Sequence, residues 1–261
     1  MDPSPCRFPR SAPREYSGLP CYLPEIPPDV YADVPSLEPY LERLRYIHLA
    51  KVSIYENLLR DELRDGARVL SAGEGTGEYI ASLALKYPRV DFYAFDYTAN
   101  RVVIARELMR HLGVENVSLY IGSVEEIPFE DGFFAAAVER GVFHVLPREV
   151  KLKNLSELER TCSGKVILGH MTNARPYLIK RWIQSKRRSD RRIWEDAHTT
   201  HRAIDPQHNS LVKIAKLVEE VTGHPARVLY YFDGDQELSW PKPRRRMLLP
   251  YLGGVMYDTR T

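Results

Sequence analysis

Short apolar runs alternate with amphipathic stretches from residue 67 to the end of the chain. The runs predict strands at 69–70, 90–95, 117–122, 134–139, 165–170, 226–232 and within 248–257. Apolar positions at helical spacing predict helices at 78–86, 99–112, 149–162 and 211–222. Because strands that alternate with helices are typical of α/β proteins, we expect a doubly wound, mostly parallel sheet with helices on both faces.

The N-terminal part of the chain has a different composition. Residues 1–35 hold nine of the nineteen prolines, which exclude regular helix and central strand. Apolar residues between positions 16 and 31 indicate a segment that lies against the domain, either as a lid over a site or as simple surface packing. A helix is predicted from Ser36, a candidate N-cap, to residue 65. The chain therefore divides into a proline-rich arm (1–35), a helical extension (36–66) and a main domain (67–261).

A glycine turn joins the first predicted strand to the first helix of the main domain. Gly73, Gly75 and Gly77 form this turn, and Asp96 ends the next strand. Glycines allow positive φ and a close approach to the backbone, while the helix N-terminus and the acid suit a ligand with an adenosine-like half. The third glycine of the dinucleotide fingerprint would fall at Glu78, which disfavours a dinucleotide. A packing turn without a ligand and a nucleotide-binding relative are the alternatives.

The G-x-G-x-G spacing, with its strand, helix and acid, resembles the first motif of the class I S-adenosylmethionine-dependent methyltransferase superfamily. The resemblance runs from about Arg68 to Ile167 and is strongest for the small-molecule branch, which methylates quinone precursors, sterols and other metabolites. It implies a Rossmann-like sheet of seven strands whose last strand is antiparallel, at or near an edge. It also implies a transferase that uses S-adenosyl-L-methionine and moves a methyl group to a small-molecule acceptor by in-line displacement.

The resemblance further implies where such a cofactor would bind. The glycine turn would pass its methionine half, Asp96 would hold its ribose, and Ser123 with Val124 would flank its adenine. The implied cofactor-binding residues are Ser71, Gly73, Glu74, Gly75, Gly77, Asp96, Tyr97, Ser123, Val124 and Glu139. Three acids that are usual in the superfamily are replaced by Ser71, Ser123 and Ala135. A non-catalytic binding protein that keeps the fold and has lost the cofactor is therefore an alternative.

Candidate catalytic groups lie where the predicted strands end. Methyl transfer from a sulfonium needs alignment and exclusion of water, and it needs a base only when the acceptor is protonated. The fourth strand is followed by Glu139, Arg140 and His144, and the fifth ends at His170. His144 and His170 are the candidate bases, since the pKa of histidine lies near neutrality. The alternative for each is a hydrogen-bonded loop histidine.

A basic insert of about 171–208 separates the fifth strand from the helix at 211–222. Eight lysines and arginines lie between Arg175 and Arg192, with Asp190 as the only acid. One interpretation is a substrate cap in which Tyr177 and Trp182 contact a small acceptor. The others are a phosphate-contacting surface of an RNA methyltransferase and a solvated amphipathic helix. The net charge of +2 argues against RNA, because dedicated nucleic-acid binders are usually basic overall.

The composition also gives an expectation for where in the cell the protein acts. No apolar run approaches the roughly 20 residues that span a bilayer, and the arm has no secretory h-region. Three widely spaced cysteines, Cys6, Cys21 and Cys162, predict a reducing, cytoplasmic setting. The histidines at 198, 201 and 208 match no metal spacing, so no metal is predicted. The oligomeric state is left open.

Overall fold

The computed structural model describes residues 13–25, 36–172, 210–231 and 252–261. Its elements, in chain order, are β1 (Arg14–Tyr16), β2 (Leu19–Cys21), α1 (Glu38–Leu58), β3 (Arg68–Ala72), α2 (Glu78–Lys86), β4 (Asp91–Asp96), α3 (Ala99–Leu112), β5 (Val117–Ile121), β6 (Phe134–Arg140), a 3-10 turn (Phe143–Val145), α4 (Arg148–Thr161), β7 (Cys162–Thr172), α5 (Leu211–Thr222), β8 (Arg227–Tyr231) and β9 (Leu252–Asp258). Tyr177, Trp182, Cys6, the three histidines and the predicted basic stretch 175–192 lie outside the described residues.

The described strands form one sheet in the order β1-β2-β5-β4-β3-β6-β7-β9-β8. The central strands β5, β4, β3, β6 and β7 are all parallel, whereas β9 runs antiparallel between β7 and β8. The prediction of a doubly wound, mostly parallel sheet is confirmed. So is the antiparallel last strand, which lies one position from the edge.

An N-terminal hairpin raises the strand count from the predicted seven to nine. Strands β1 and β2 pair antiparallel, and β2 joins β5 with Cys21 opposite Ile121. The Tyr22 N–H extends this pairing by donating to the Ile121 carbonyl at 2.9 Å. The expectation that the arm could form no internal strand is therefore wrong for β2. This strand has three residues, so Pro20 removes few ladder hydrogen bonds.

Helices cover both faces of the sheet. On one face α2 packs against α1 and α3, and Tyr55, Tyr79 and Leu83 share a buried core with Val69 and Val138. On the other face α4 and α5 pack together over a core that contains Leu70, Phe95, Ala137 and Leu168. Since successive strand residues point to opposite faces, the two residues that end β6 belong to different layers.

The observed helix bounds agree closely with the sequence pattern, except in α1. Helices α2, α3 and α5 span the predicted residues, and Gly113 and Gly223 follow α3 and α5 with φ of 66° and 77°. Helix α1 ends at Leu58, seven residues before the predicted end. The observed N-cap is Leu37 and not the predicted Ser36, although the Ser36 hydroxyl accepts a hydrogen bond from the Glu38 N–H at 3.1 Å.

Candidate cofactor site

The glycine turn follows β3 and has three positive φ angles, 66° at Gly73, 74° at Gly75 and 87° at Gly77. A Cβ on Gly73 would lie 2.4 Å from Val142 Cγ2, and one on Gly77 would lie 2.8 Å from Ala105 Cβ. A Cβ on Gly75 would meet no described atom within 4 Å. The outer glycines are therefore required by packing as well as by conformation, while Gly75 leaves the surface of the turn open to a ligand.

The side chain of Asp96 connects β4 to this turn. Its Oδ2 accepts a hydrogen bond from the Gly75 N–H and its Oδ1 accepts one from the Thr98 N–H, both at 2.9 Å. The Arg101 Nη1 atom lies 4.0 Å from Asp96 Oδ2, and Asp96 is 6 % exposed. A carboxylate offers about four acceptor positions, so these two bonds leave capacity for hydroxyl groups of a ligand.

Glu74 of the glycine turn supplies the carboxylate that is missing at position 71. The Ser71 hydroxyl donates to Glu74 Oε2 at 2.6 Å, and Glu74 Oε1 accepts the Ile80 N–H of α2 at 3.0 Å. Burial raises the pKa of Glu74, and the charge of Arg140 opposes that rise. A carboxylate thus lies against the end of β3, although it comes from three residues further along the chain. Glu74, predicted to bind the cofactor, uses one oxygen to bind β3 and the other to bind α2.

The ends of β4 and β5 form the other side of the site. Tyr97 follows Asp96 and its side chain is 53 % exposed, whereas Val124 is buried in the core next to Tyr120. The Ser123 hydroxyl accepts the Glu125 N–H at 3.1 Å, which fixes the turn after β5. An exposed ring and an aliphatic side chain therefore follow neighbouring strands, and both are suited to a planar apolar group.

Two titratable groups near the end of β6 have strongly shifted pKa values. Burial raises the pKa of Glu139 to about 7, against the opposing effect of the Asn154 Nδ2–H, which donates to Glu139 Oε2 at 2.5 Å. Burial, assisted by the charge of Lys151, lowers the pKa of His144 to about 4. Such a histidine is neutral at pH 7 and a weak base. His170 lies in β7, and its side chain is outside the described part of the chain.

Arg140, the last residue of β6, is one of the candidate groups at the strand ends, but the sequence did not predict it as a cofactor-binding residue. Its Cζ lies 4.2 Å from the ring centroid of Tyr79 and 5.9 Å from that of Tyr55. Its Nε and Nη1 atoms are buried and donate no hydrogen bond. Strand alternation was the signal that could have separated it from Glu139.

The carboxyl ends of four neighbouring strands bring the predicted residues together. Ala72 at the end of β3 lies opposite Phe95 on one side and Glu139 on the other, and Asp96 lies opposite Ile121. The described ranges contain no cluster of three or more potential metal ligands. Within the same ranges, no helix combines the length and apolar character needed to cross a membrane.

Comparisons with known proteins agree with this geometry. Residues 69–164 match the family model described as a methyltransferase domain. The ubiquinone/menaquinone biosynthesis C-methyltransferase UbiE of Citrifermentans bemidjiense is 32% identical over 113 residues, which are 41% of this chain and 46% of that protein. The chain spans less than half of the length of the curated relatives it matches.

Solved structures share the fold over most of the chain. A SAM-dependent methyltransferase from Aquifex aeolicus superposes with a TM-score of 0.53 at 19% identity, covering 83% of this chain and 96% of its own. The YcgJ protein from Bacillus subtilis gives a TM-score of 0.52 at 19% identity, with 80% and 98% covered. Residues 69–164 are thus similar to a methyltransferase domain, and the chain shares its fold with these two solved structures.

Proposed function

We propose that this chain is an S-adenosylmethionine-dependent methyltransferase that acts on a small-molecule acceptor. The observation that carries the proposal is the hydrogen bond between Gly75 N–H and Asp96 Oδ2, at the point where the open glycine turn meets the end of β4. This bond fixes a surface of bare backbone beside a carboxylate that still has acceptor capacity. The residues present thus fit the cofactor despite Ser71, Ser123 and Ala135.

Each half of the cofactor has matching groups. Asp96 would accept hydrogen bonds from the ribose hydroxyls, as the acid after the second strand does in related α/β sites. Tyr97 and Val124 would pack against the adenine ring, with Ser123 beside them. The open backbone at Gly75 would contact the chain that links ribose to the amino-acid end. The turn and the strand ends together would align the ligand along the carboxyl edge of the sheet.

When bound, S-adenosylmethionine supplies a methyl group on a sulfonium, whose leaving group is a neutral thioether. The protein's part is to hold the acceptor in line and exclude water. An acceptor that must lose a proton also needs a base with a pKa near the working pH. Glu139, with a pKa of about 7, suits that role better than His144, with a pKa of about 4.

The acceptor class is inferred from the relatives, whose names describe C-methylation in quinone biosynthesis. A quinone-like ring is therefore the first acceptor to try. The substrate cap with Tyr177 and Trp182, the RNA alternative and the cytoplasmic setting stay predictions. No described residue favours RNA as the acceptor.

The test is calorimetric titration with S-adenosylmethionine and with its demethylated product, S-adenosylhomocysteine. We expect micromolar binding of either ligand to the wild-type protein. Asp96→Ala removes the ribose acceptor, so its affinity should fall by roughly 1–3 kcal/mol. Asp91→Ala is the matched control, because this exposed acid lies at the opposite end of the same strand.

Two outcomes would contradict the proposal. Absence of binding to the wild-type protein at millimolar ligand would show that cofactor binding requires the acids that Ser71, Ser123 and Ala135 replace. Equal affinities of Asp96→Ala and wild type, with circular dichroism confirming that both are folded, would refute the ribose assignment. Methyl transfer itself is followed by mass spectrometry as the gain of one CH₂ on a reduced quinone.

A further inference from the structure

Arg140 is half-buried, and no described carboxylate forms an ion pair with its guanidinium. It stacks over the ring of Tyr79 in α2, with Tyr55 of α1 on its border. Two of its nitrogens, Nε and Nη1, are shielded from solvent and reach no acceptor. Buried donors of a charged group that reach no acceptor are costly, and the ring contacts offset only part of that cost. Such a group is expected where a ligand completes the site.

The neighbouring carboxylates are already engaged elsewhere. Glu74 is near enough for the charge of Arg140 to act on its pKa, but its oxygens bond to the Ser71 hydroxyl and the Ile80 N–H. Glu139 precedes Arg140, but it points to the opposite layer, where it bonds to Asn154. Neither acid forms an ion pair with the guanidinium, which keeps its donors for another anion.

The position of Arg140 among the carboxyl ends of the strands indicates which anion it would bind. The order β5, β4, β3, β6 places Ser123, Asp96, the glycine turn and Arg140 side by side. A ligand with its adenine at β5 and its ribose at β4 must carry its remaining part over the turn towards β6. In S-adenosylmethionine that part ends in an amino group and a carboxylate.

We propose that Arg140 binds the carboxylate at the amino-acid end of the cofactor. Arginine presents a rigid fork that matches a carboxylate with two parallel hydrogen bonds. The tyrosine rings fix the plane of that fork, and the nearby N-terminus of α2 favours negative charge. The inference rests on the proposed function and adds a specificity-determining residue to the same site.

The experiment compares two ligands that differ in one group. S-adenosylhomocysteine and its decarboxylated analogue share the adenosine, thioether and amine, so the ratio of their affinities isolates the carboxylate. We expect the wild-type protein to prefer the carboxylate-bearing ligand by about 10- to 100-fold. Arg140→Met should bind the two ligands within about threefold of one another. Arg140→Lys keeps the charge but loses the fork, so its preference should be intermediate.

Arg89→Met is the matched control, since Arg89 is well exposed and precedes β4, at the amino end of that strand. This variant should keep the full wild-type preference. Thermal melts of all variants establish that the fold is intact, and Arg140→Lys provides a second test if Arg140→Met does not fold.

The outcomes separate this inference from the function on which it rests. If the wild-type protein binds neither ligand, the proposed function fails. If it binds S-adenosylhomocysteine and both Arg140 variants keep the wild-type preference, the carboxylate lies elsewhere and the inference is wrong. An equal loss of affinity for both ligands would also overturn it, because Arg140 would then support the turn rather than contact the carboxylate.

Discussion

The two residues that end β6 face opposite layers of the protein and meet opposite environments. Glu139 points towards α4, where Asn154 donates to it and burial raises its pKa to about 7. Arg140 points towards α1 and α2, where it contacts aromatic rings and keeps buried donors without acceptors. On the first side Asn154 satisfies one carboxylate oxygen, while Glu139 Oε1 stays buried without a hydrogen-bond partner. On the second side the unsatisfied atoms are donors of a cation, and this difference indicates which layer offers a site to an anionic group.

The largest expected effect comes from removing the amide donor to Glu139. Asn154→Ala leaves a buried charged group without its hydrogen bond, so we expect a loss of about 3–4 kcal/mol in the free energy of unfolding at pH 8. Urea denaturation measures this loss. Ser156→Ala, on the exposed face of the same helix, should change stability by less than about 0.5 kcal/mol. If the two variants were equally stable, the hydrogen bond from Asn154 would not stabilise the buried carboxylate.

A smaller effect concerns the proton on Glu139. Its pKa is raised from the usual 4.5 to about 7, so the folded state binds a proton more tightly than the unfolded state. The stability that this proton contributes is fully present below pH 4.5 and is lost as the pH rises through 7, a loss of roughly 3 kcal/mol. His144 acts in the opposite direction, because its lowered pKa removes stability as the pH falls from 6.5 through 4.

Glu139→Gln separates the two contributions. The variant should be more stable than wild type at pH 8, and the gain should disappear at pH 4, where Glu139 is protonated in both states. Thermal melts at several pH values give the difference curve. A gain that did not depend on pH would assign the effect to packing instead of ionisation.

The smallest expected effect concerns Glu74 of the glycine turn. Glu74→Ala leaves the Ser71 hydroxyl and the Ile80 N–H without their shared acceptor, and should cost about 1–2 kcal/mol. Adding Ser71→Asp returns a carboxylate to the position that the superfamily uses. This double variant should recover part of the stability and of the affinity for S-adenosylhomocysteine. If the double variant had the same stability and affinity as Glu74→Ala, a carboxylate at position 71 could not replace the one at position 74.

The elements predicted best were those with strong local signals. The bounds of α2, α3 and α5 followed from apolar spacing, and a glycine lies just after two of these helices. The turn and Asp96 were also predicted, and the structure places them in hydrogen-bond contact. The end of α1 was placed too late, because apolar residues continue into the following turn, where Leu59 and Leu63 are buried.

The features that were missed depend on contacts between distant residues. The proline content argued against a central strand in the arm, but β2 pairs with β5 at Cys21 and Ile121. The absence of an acid at Ser71 was visible, whereas the return of the Glu74 side chain was not. Nor could the sequence assign His144 a pKa of about 4, because that shift results from burial beside Lys151.

The hairpin β1–β2 has a consequence for solubility. Without it, the five-residue strand β5 would present a free row of backbone donors and acceptors, and such edges template aggregation. With it, the sheet ends on the three-residue strand β1, where Arg14 and Glu15 are exposed. A short, charged edge is a poor template for a second chain. The hairpin thus shields the β5 side of the sheet from pairing with a second chain.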